Sequence, residues 1–357
     1  MARLFNLPET RGTVKLTGKV TGVSSDKFYQ TKETKNGGTM RLINFGLQYA
    51  PQHQVYVNLT GMPRDKVYFS KRNENGKTET KAIKWTDRNK FNEDGYRMIG
   101  VNCGLQKKTG EVKKGESKNI NHTLVEFDAC DYLHEYLQND QSVFINAKTE
   151  FSSYVGQNGE VKRNARIVPT QISLANDIDF ESETFEPRNN FLQRVVFESI
   201  EKEKDADDRD TGRFVINAFI VNYSSIETAA FIVEDKSLAL GVRKMIKPYT
   251  AIDLEGVVKQ QHVVVETEDD GMVLGAKESK MSRAVGGSSR IEWVVTRIDL
   301  KTADTDTYTE DAMYEAMAKV RNSKTAEANF GGKDDVVDNF ADVKETEEDD
   351  DEGLPWD

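Results

Sequence analysis

Aromatic rings set among cations recur through the first third of the chain. Lys27 precedes Phe28-Tyr29, with Lys32 close behind; Tyr68-Phe69 lies between Lys66 and Lys71-Arg72; Lys84-Trp85 runs on to Arg88 and Lys90; Tyr96 is followed by Arg97. Rings flanked by ammonium and guanidinium groups suit one chemistry: bases stack on the ring while the cations track phosphates. Each stacked base contributes about 1–3 kcal/mol whatever its identity, so such a surface grips unpaired strands with little sequence preference. Tyr56 joins the set because Val55, Val57 and Leu59 claim the opposite face of its strand. With Lys15, Lys19, Arg41, Lys148 and Tyr154 added, the candidate nucleic-acid contacts are these five together with Lys27, Phe28, Tyr29, Tyr56, Tyr68, Phe69, Arg72, Lys84, Trp85 and Arg88. They are expected to line a single channel. Filling a barrel interior is the competing role for such rings, and it weighs most for Phe45, Phe144 and Phe151.

The charge distribution points the same way. The 357 residues carry a formal charge of -11, yet residues 1–175 hold 27 Lys and Arg against 18 Asp and Glu. A basic half joined to an acidic half is the footprint of a polyanion binder with a separate acidic arm. Other chemistries find less support. No phosphate-binding loop, nucleophile elbow or HExxH pattern is present, so no enzymatic activity and no cofactor are expected. Cys103, His122, Cys130 and His134 are zinc candidates by residue type, but their spacing matches no compact zinc-finger pattern. Two cysteines make no disulfide framework and suit a reducing cytoplasm; no apolar stretch approaches transmembrane length.

Strands must position these residues. Thr13–Val23, Met40–Tyr49 and Gln54–Met62 alternate apolar and polar residues, and Phe127–Asp140 has helical spacing. Two strands around a Gly-containing turn then close the unit. Three strands, a helix and two strands is the order of an OB-fold barrel. Residues 188–302 repeat it, and Thr170, Ile172 and Leu174 match Thr296, Ile298 and Leu300 at the end of each series. The expected fold is mainly β: tandem OB-type barrels with a short helix in each. The first spans 1–178 with a basic insertion at about 63–120, in which Asn-Gly and Asp-Gly signal small hairpins. The second spans 188–302 and is expected to serve packing, self-association or partner contact, because cations are sparse along its strands. A helix at 303–325, capped by Thr309, leads into a disordered acidic tail at 326–357.

That tail ends in DDDEGLPWD, where Leu354, Pro355 and Trp356 follow a block of acids that includes Asp349, Asp350 and Asp351. The OB pattern and this ending resemble the SSB-like single-stranded DNA-binding proteins, bacteriophage versions in particular. The resemblance implies that the acids and the apolar tip dock on replication or recombination proteins. The chain departs from the family's pattern in Glu352-Gly353 and in ending on Asp357 rather than on the aromatic residue. The same acids are also expected to fold back on the protein's own basic groove. The function expected from the sequence is coating of single-stranded DNA in replication, recombination or repair, in the cytoplasm, or in the host-cell cytoplasm for a phage protein. An RNA-binding OB protein and a protein–protein adaptor or virion component are the alternatives.

Overall fold

In the computed structural model the described residues are 3–34, 37–108, 118–155, 161–205, 208–262 and 289–329. Alternation becomes strand where it was read. In β1 (Gly12–Thr21) the buried Val14, Leu16 and Val20 alternate with Lys15, Thr17 and Lys19. A short β2 (Tyr29–Glu33) follows, then β3 (Thr39–Ala50) and β4 (His53–Gly61). The insertion holds β5 (Lys66–Arg72), β6 (Thr78–Lys84), β7 (Arg97–Met98), β8 (Val101–Lys107) and β9 (Asn119–Leu124). Helix α1 (Glu126–Tyr136), β10 (Ser142–Val155) and β11 (Val161–Leu174) complete the unit. The second unit runs β12 (Arg188–Lys204), β13 (Asp210–Val221), β14 (Ile226–Val233), α2 (Lys236–Met245), β15 (Ala251–His262) and β16 (Ser289–Ile298).

Both units are OB-type barrels. In the first, β1 pairs antiparallel with β3 and β10, β3 with β4, and β10 with β11. In the second, β12 pairs with β13 and β15, β13 with β14, and β15 with β16. The closing contact is parallel in each: β16 meets β14, whereas β11 meets β8, a strand supplied by the insertion. The sequence order alone did not reveal that substitution.

The TxIxL match marks a shared irregularity. The β10–β11 register shifts at Asn146/Ala147, opposite Thr170, and the β15–β16 register shifts at Glu255/Gly256, opposite Thr296. Each threonine is the extra residue of a bulge. Its hydroxyl donates to a carbonyl across the ladder, Thr170 to Asn146 at 3.2 Å and Thr296 to Glu255 at 3.5 Å. The turn before the fourth strand is duplicated as well. Asp140 and Tyr249 both adopt positive φ (63° and 64°). Their N–H groups donate to Val20 and Phe197 of the two first strands, at 2.8 and 2.7 Å.

The barrels join through those first strands. β1 pairs antiparallel with β12, Val14 facing Phe191, which relates the units locally by a two-fold axis. Gln193 is fully buried at the junction, where its amide donates to the carbonyls of Thr10 (3.1 Å) and Arg194 (2.7 Å) and accepts from Thr149. Phe151 of the first barrel meets Trp293 and Phe231 of the second, with ring centroids 5.7 and 6.1 Å apart. Apolar contacts at this seam are continuous with both cores.

Helix α3 (Glu310–Asn329) begins later than the 303 expected from composition, and Thr309 caps it by accepting from the Ala312 N–H at 3.4 Å. No described helix is long and apolar enough to cross a membrane.

Glycine at position 61 sets α1 against β4. A Cβ there would lie 2.3 Å from the Phe127 nitrogen and 2.4 Å from its Cα, both backbone atoms that cannot swing aside. Gly61→Ala is therefore expected to destabilise the first barrel by about 1–3 kcal/mol through overpacking. A urea midpoint equal to that of the unaltered protein would contradict this packing.

Candidate nucleic-acid interface

The insertion folds into its own three-stranded sheet. At the tip of the β5–β6 hairpin the Asn73 side chain accepts from the Lys77 N–H at 2.9 Å, and Gly76 takes φ 74°. The resulting register places Arg72 against Thr78, Tyr68 against Ala82 and Lys66 against Lys84; β7 adds Arg97 opposite Ser70. Alternation then sorts the side chains. Val67, Phe69, Ile83 and Met98 turn inward and pack with Trp85, Phe91, Tyr96, Val125 and Phe127. Lys66, Tyr68, Ser70, Arg72, Thr78, Thr80, Ala82, Lys84 and Arg97 turn outward.

That outward face has four cations and no acid. Tyr68 is 48% exposed, and its direct neighbour Ala82 is too small to cover the ring. Lys66 and Lys84 stand directly opposite one another, an arrangement that disfavours the sheet on its own. Two acids of the insertion are engaged on the opposite face: Glu93 pairs with Lys81, and Glu79 accepts from Tyr96 at 3.2 Å. Lys71 is tied down as well, donating to the Asp94 backbone carbonyl at 3.0 Å. Among the described residues, the side chains of Lys66, Arg72, Lys84 and Arg97 have no ion-pair or hydrogen-bond partner. The site is thus a ring with four free cations around it.

Trp85 and Arg88 support the sheet from beneath. The Arg88 guanidinium lies 4.2 Å over the Trp85 ring and makes a two-pronged bond to Asp128 at 2.7 and 2.9 Å. Asp128 holds the Arg88 guanidinium above its ordinary range. Since Asp128 lies in the first turn of α1, this clamp fixes the insertion to the barrel. Trp85 and Arg88, expected to touch nucleic acid, are half-buried within this clamp. Phe69 is 5% exposed and belongs to the core beneath Tyr68.

A second, smaller surface lies on β3 and β4. Tyr56 stands outward opposite Gly46, as strand alternation predicted, and is 37% exposed. Asn58 donates to Asn44 at 2.8 Å, and Gln54 donates to the Tyr56 hydroxyl at 3.2 Å and accepts from Thr21 at 3.2 Å. This face is uncharged: amides around one ring. The single channel expected from the sequence is therefore divided, with Tyr56 on the barrel sheet and Trp85 in the separate core of the insertion.

The remaining candidates are dispersed. Phe28 is 3% exposed and fills the first barrel. Arg41 shares the parity of the buried Ile43 and Phe45 rather than facing outward; it pairs with Asp131 at 2.6 Å and stacks 3.6 Å over Phe127. Tyr29 stacks on His134 with centroids 4.2 Å apart and donates to Asp131 at 2.9 Å. Lys148 is paired with Glu150 at 2.7 Å, and Lys19 sits 5.5 Å over the Phe180 ring. Lys15 lies on the outer face of β1 between Asn146 and Asn190, Lys27 is exposed in the turn before β2, and Tyr154 is half-buried near the end of β10. Lys66 and Arg97, noted beside rings in the sequence, were left out of the candidate set, and the amides Asn44, Asn58 and Gln54 were missed. The Asn-Gly turn carried the signal for Lys66, because the hairpin register alone sets it against Lys84.

In the second barrel the corresponding face is covered at its Phe219 end. Register equivalence matches Gln48 with Phe219, Asn44 with Val215, Asn58 with Ile232 and Tyr56 with Ala230. Phe219, Val221 and Ile226 pack under Leu4, Phe5 and Leu7 of the N-terminal segment and under Met313, Ala316, Met317 and Val320 of α3. Tyr308, 2% exposed, locks the two covers together by donating to the Pro8 carbonyl at 3.0 Å.

The four zinc candidates do not assemble. His122 and His134 lie against Tyr132 and Tyr29, and no group of three or more His, Cys, Asp or Glu that could hold a metal occurs among the described residues. Cys103 and Cys130 are fully buried, and burial pushes both thiols from 9.0 up to about 12. The raised folded-state value means that the stability these thiols contribute is complete below pH 9 and is lost as the pH climbs toward 12. Each is expected to cost about 1.4 kcal/mol per pH unit within that window. Urea midpoints at pH 8 and 10.5 check this: Cys103→Ala/Cys130→Ala should flatten the fall, and an unaltered fall would refute it. The acidic candidates Asp349, Asp350 and Asp351, the tip Leu354, Pro355 and Trp356, and most of the expected tail lie outside the described residues.

A protein-family model described as YorF matches residues 71–333, from the end of β5 to beyond α3. No curated protein matches the chain. Among solved structures, a deletion mutant of the single-stranded DNA binding protein from Thermus aquaticus is 10% identical, with a TM-score of 0.38, covering 82% of this chain and 94% of that one. The wild-type Thermus aquaticus protein is 9% identical, with a TM-score of 0.37, covering 82% and 93%. A replication protein A heterotrimer bound to ssDNA is 9% identical, with a TM-score of 0.18, covering 88% and 97%.

Proposed function

The chain belongs to the YorF family, and from that premise we propose that it is a non-enzymatic binder of single-stranded DNA. The observation that carries this reading is the outward face of the insertion, where Tyr68 stands among Lys66, Arg72, Lys84 and Arg97 with no acid on the same face. Cations without partners attract phosphates, and an uncovered ring accepts any base. The amide-lined Tyr56 face of β3 and β4 adds a second contact, on the strands where OB barrels hold oligonucleotides. The second barrel contributes scaffold rather than a second groove, since α3 and the N-terminal segment occupy the Phe219 end of its corresponding face. Coating of DNA during replication, recombination or repair is the role such a surface serves, and recruitment of partner proteins would fall to Leu354, Pro355 and Trp356.

Anisotropy of fluorescein-labelled oligo-dT tests the reading at two salt concentrations, with a matched RNA and a duplex as competitors. Binding is expected to weaken with salt, the logarithm of affinity falling by about 0.7 per phosphate contacted. Duplex should compete poorly. Preference for the RNA oligomer would replace DNA by RNA as the ligand, and absence of binding at low salt would overturn the proposal.

A further inference from the structure

Helix α2 presents an outward face that its own barrel does not use. Ala239, Val242 and Ile246 are buried against the barrel. On the other side Leu240 is 53% and Met245 55% exposed, separated by Gly241, where an added Cβ would meet open space. Lys236, Arg243 and Lys244 border these apolar groups, and Lys247 follows at the helix end. Helix stability does not account for the set. Arg243 and Lys244 in the last turn favour the helix dipole, but Lys236 in the first turn opposes it. Asp235 is occupied in capping Ser237 and Leu238, and Glu234 in pairing with Lys259. The four cations have no acidic partner among the described residues.

The chain carries one segment with the complementary composition. Seven of the eight residues from Glu345 to Glu352 are acids, and Leu354, Pro355 and Trp356 follow at once. It also begins within reach. Helix α3 lies across the same barrel as α2 and ends at Asn329, and the 19 residues from there to Asp349 can span up to about 65 Å. Tethering raises the local concentration of such a segment to the millimolar range, so weak charge pairing and a small apolar anchor suffice.

We propose that the outward face of α2 is the seat of the chain's own C-terminal segment, with Glu345–Glu352 set against Lys236, Arg243, Lys244 and Lys247 and the Leu354–Trp356 tip against Leu240 and Met245. The seat is separate from the Tyr68 face, so its failure would leave the nucleic-acid reading untouched.

Disulfide trapping in the full chain tests it, because both native thiols are buried. Leu240→Cys combined with Leu354→Cys should form an intramolecular disulfide under mild oxidant, seen as a monomer of altered gel mobility. Thr31→Cys with Leu354→Cys, on the exposed β2 strand, should not. Adding Arg243→Glu and Lys244→Glu should abolish the trapping, and Asp349→Lys with Asp350→Lys should restore it. Equal trapping at both positions would overturn the proposal, and disulfide-linked dimers would assign the seat to a second copy's tail instead. Trapping that survives charge reversal, or oligo-dT affinity that falls in the Arg243→Glu/Lys244→Glu protein, would also overturn it, the latter giving α2 to nucleic acid.

Discussion

Lys66→Glu combined with Lys84→Glu is expected to lower affinity for oligo-dT by on the order of 50- to 100-fold at 50 mM salt, because a slope of about 0.7 per phosphate amounts there to roughly tenfold per contact. The slope itself should fall by about 1.4 as two phosphate contacts disappear. Tyr68→Ala should behave differently, losing about 1–3 kcal/mol of stacking with the slope unchanged. Stability separates binding from folding in this series. Lys66 and Lys84 repel one another across the β5–β6 ladder, so Lys66→Glu alone replaces repulsion by attraction and should stabilise the sheet by a few tenths of a kcal/mol. A protein that unfolds later yet binds worse would show that the opposed lysines serve a ligand. Lys15→Glu, on the outer face of β1 between Asn146 and Asn190, is the control and should leave affinity nearly unchanged. If Lys15→Glu reduced the salt slope as much as the Lys66/Lys84 pair does, the Tyr68 face would lose its claim.

Met313→Asp is expected to cost about 3–5 kcal/mol and to strip α3 from the second barrel. Met313 is fully buried between α3 and the Phe219–Val221–Ile226 face. A carboxylate there must either lose its hydration without a partner or force the helix away, and either outcome forfeits the apolar contact. The exposed surface would then hold Phe219, Val221 and Ile226, so dye binding and self-association should appear before global unfolding. Tyr308→Phe gives a graded version, removing the hydroxyl's hydrogen bond to Pro8 and its contact with Arg194 for about 1 kcal/mol. Should Met313→Asp unfold with the midpoint of the unaltered protein and bind no dye, the cover would not be the structural element described above.

These two outcomes bear on one design: duplicated barrels with opposite fates for equivalent faces. At matched register the first barrel carries Gln48 where the second carries Phe219. An amide can remain wet, whereas Phe219, with Val221 and Ile226 in the same cluster, requires a lid. Divergence of a few outward side chains therefore separates an open face from a closed one without altering the strand order.

Local pattern made much of this legible. Alternation placed Val14, Leu16 and Val20 inside and Tyr56 outside, because successive side chains of a strand must point to opposite faces. The TxIxL repeat was visible as text, and its meaning became clear only when Thr170 and Thr296 proved to be bulge residues bonded across the ladder. Thr309 was readable as a cap because capping needs only the next three residues. By contrast, Phe28 and Tyr68 look alike in the sequence, each a ring beside lysine, yet one fills the barrel and the other faces outward. The same holds for Trp85, whose polar neighbours implied exposure but which is half-buried against Arg88 and Phe127. Duplication and the inward or outward parity of regular strands thus followed from the chain itself, since each is written in runs of a few neighbouring residues. Which rings stay uncovered, which cations are already paired and which barrel face is capped were decided by segments such as α1 and α3 that arrive from dozens or hundreds of residues away, and no local periodicity records such a meeting.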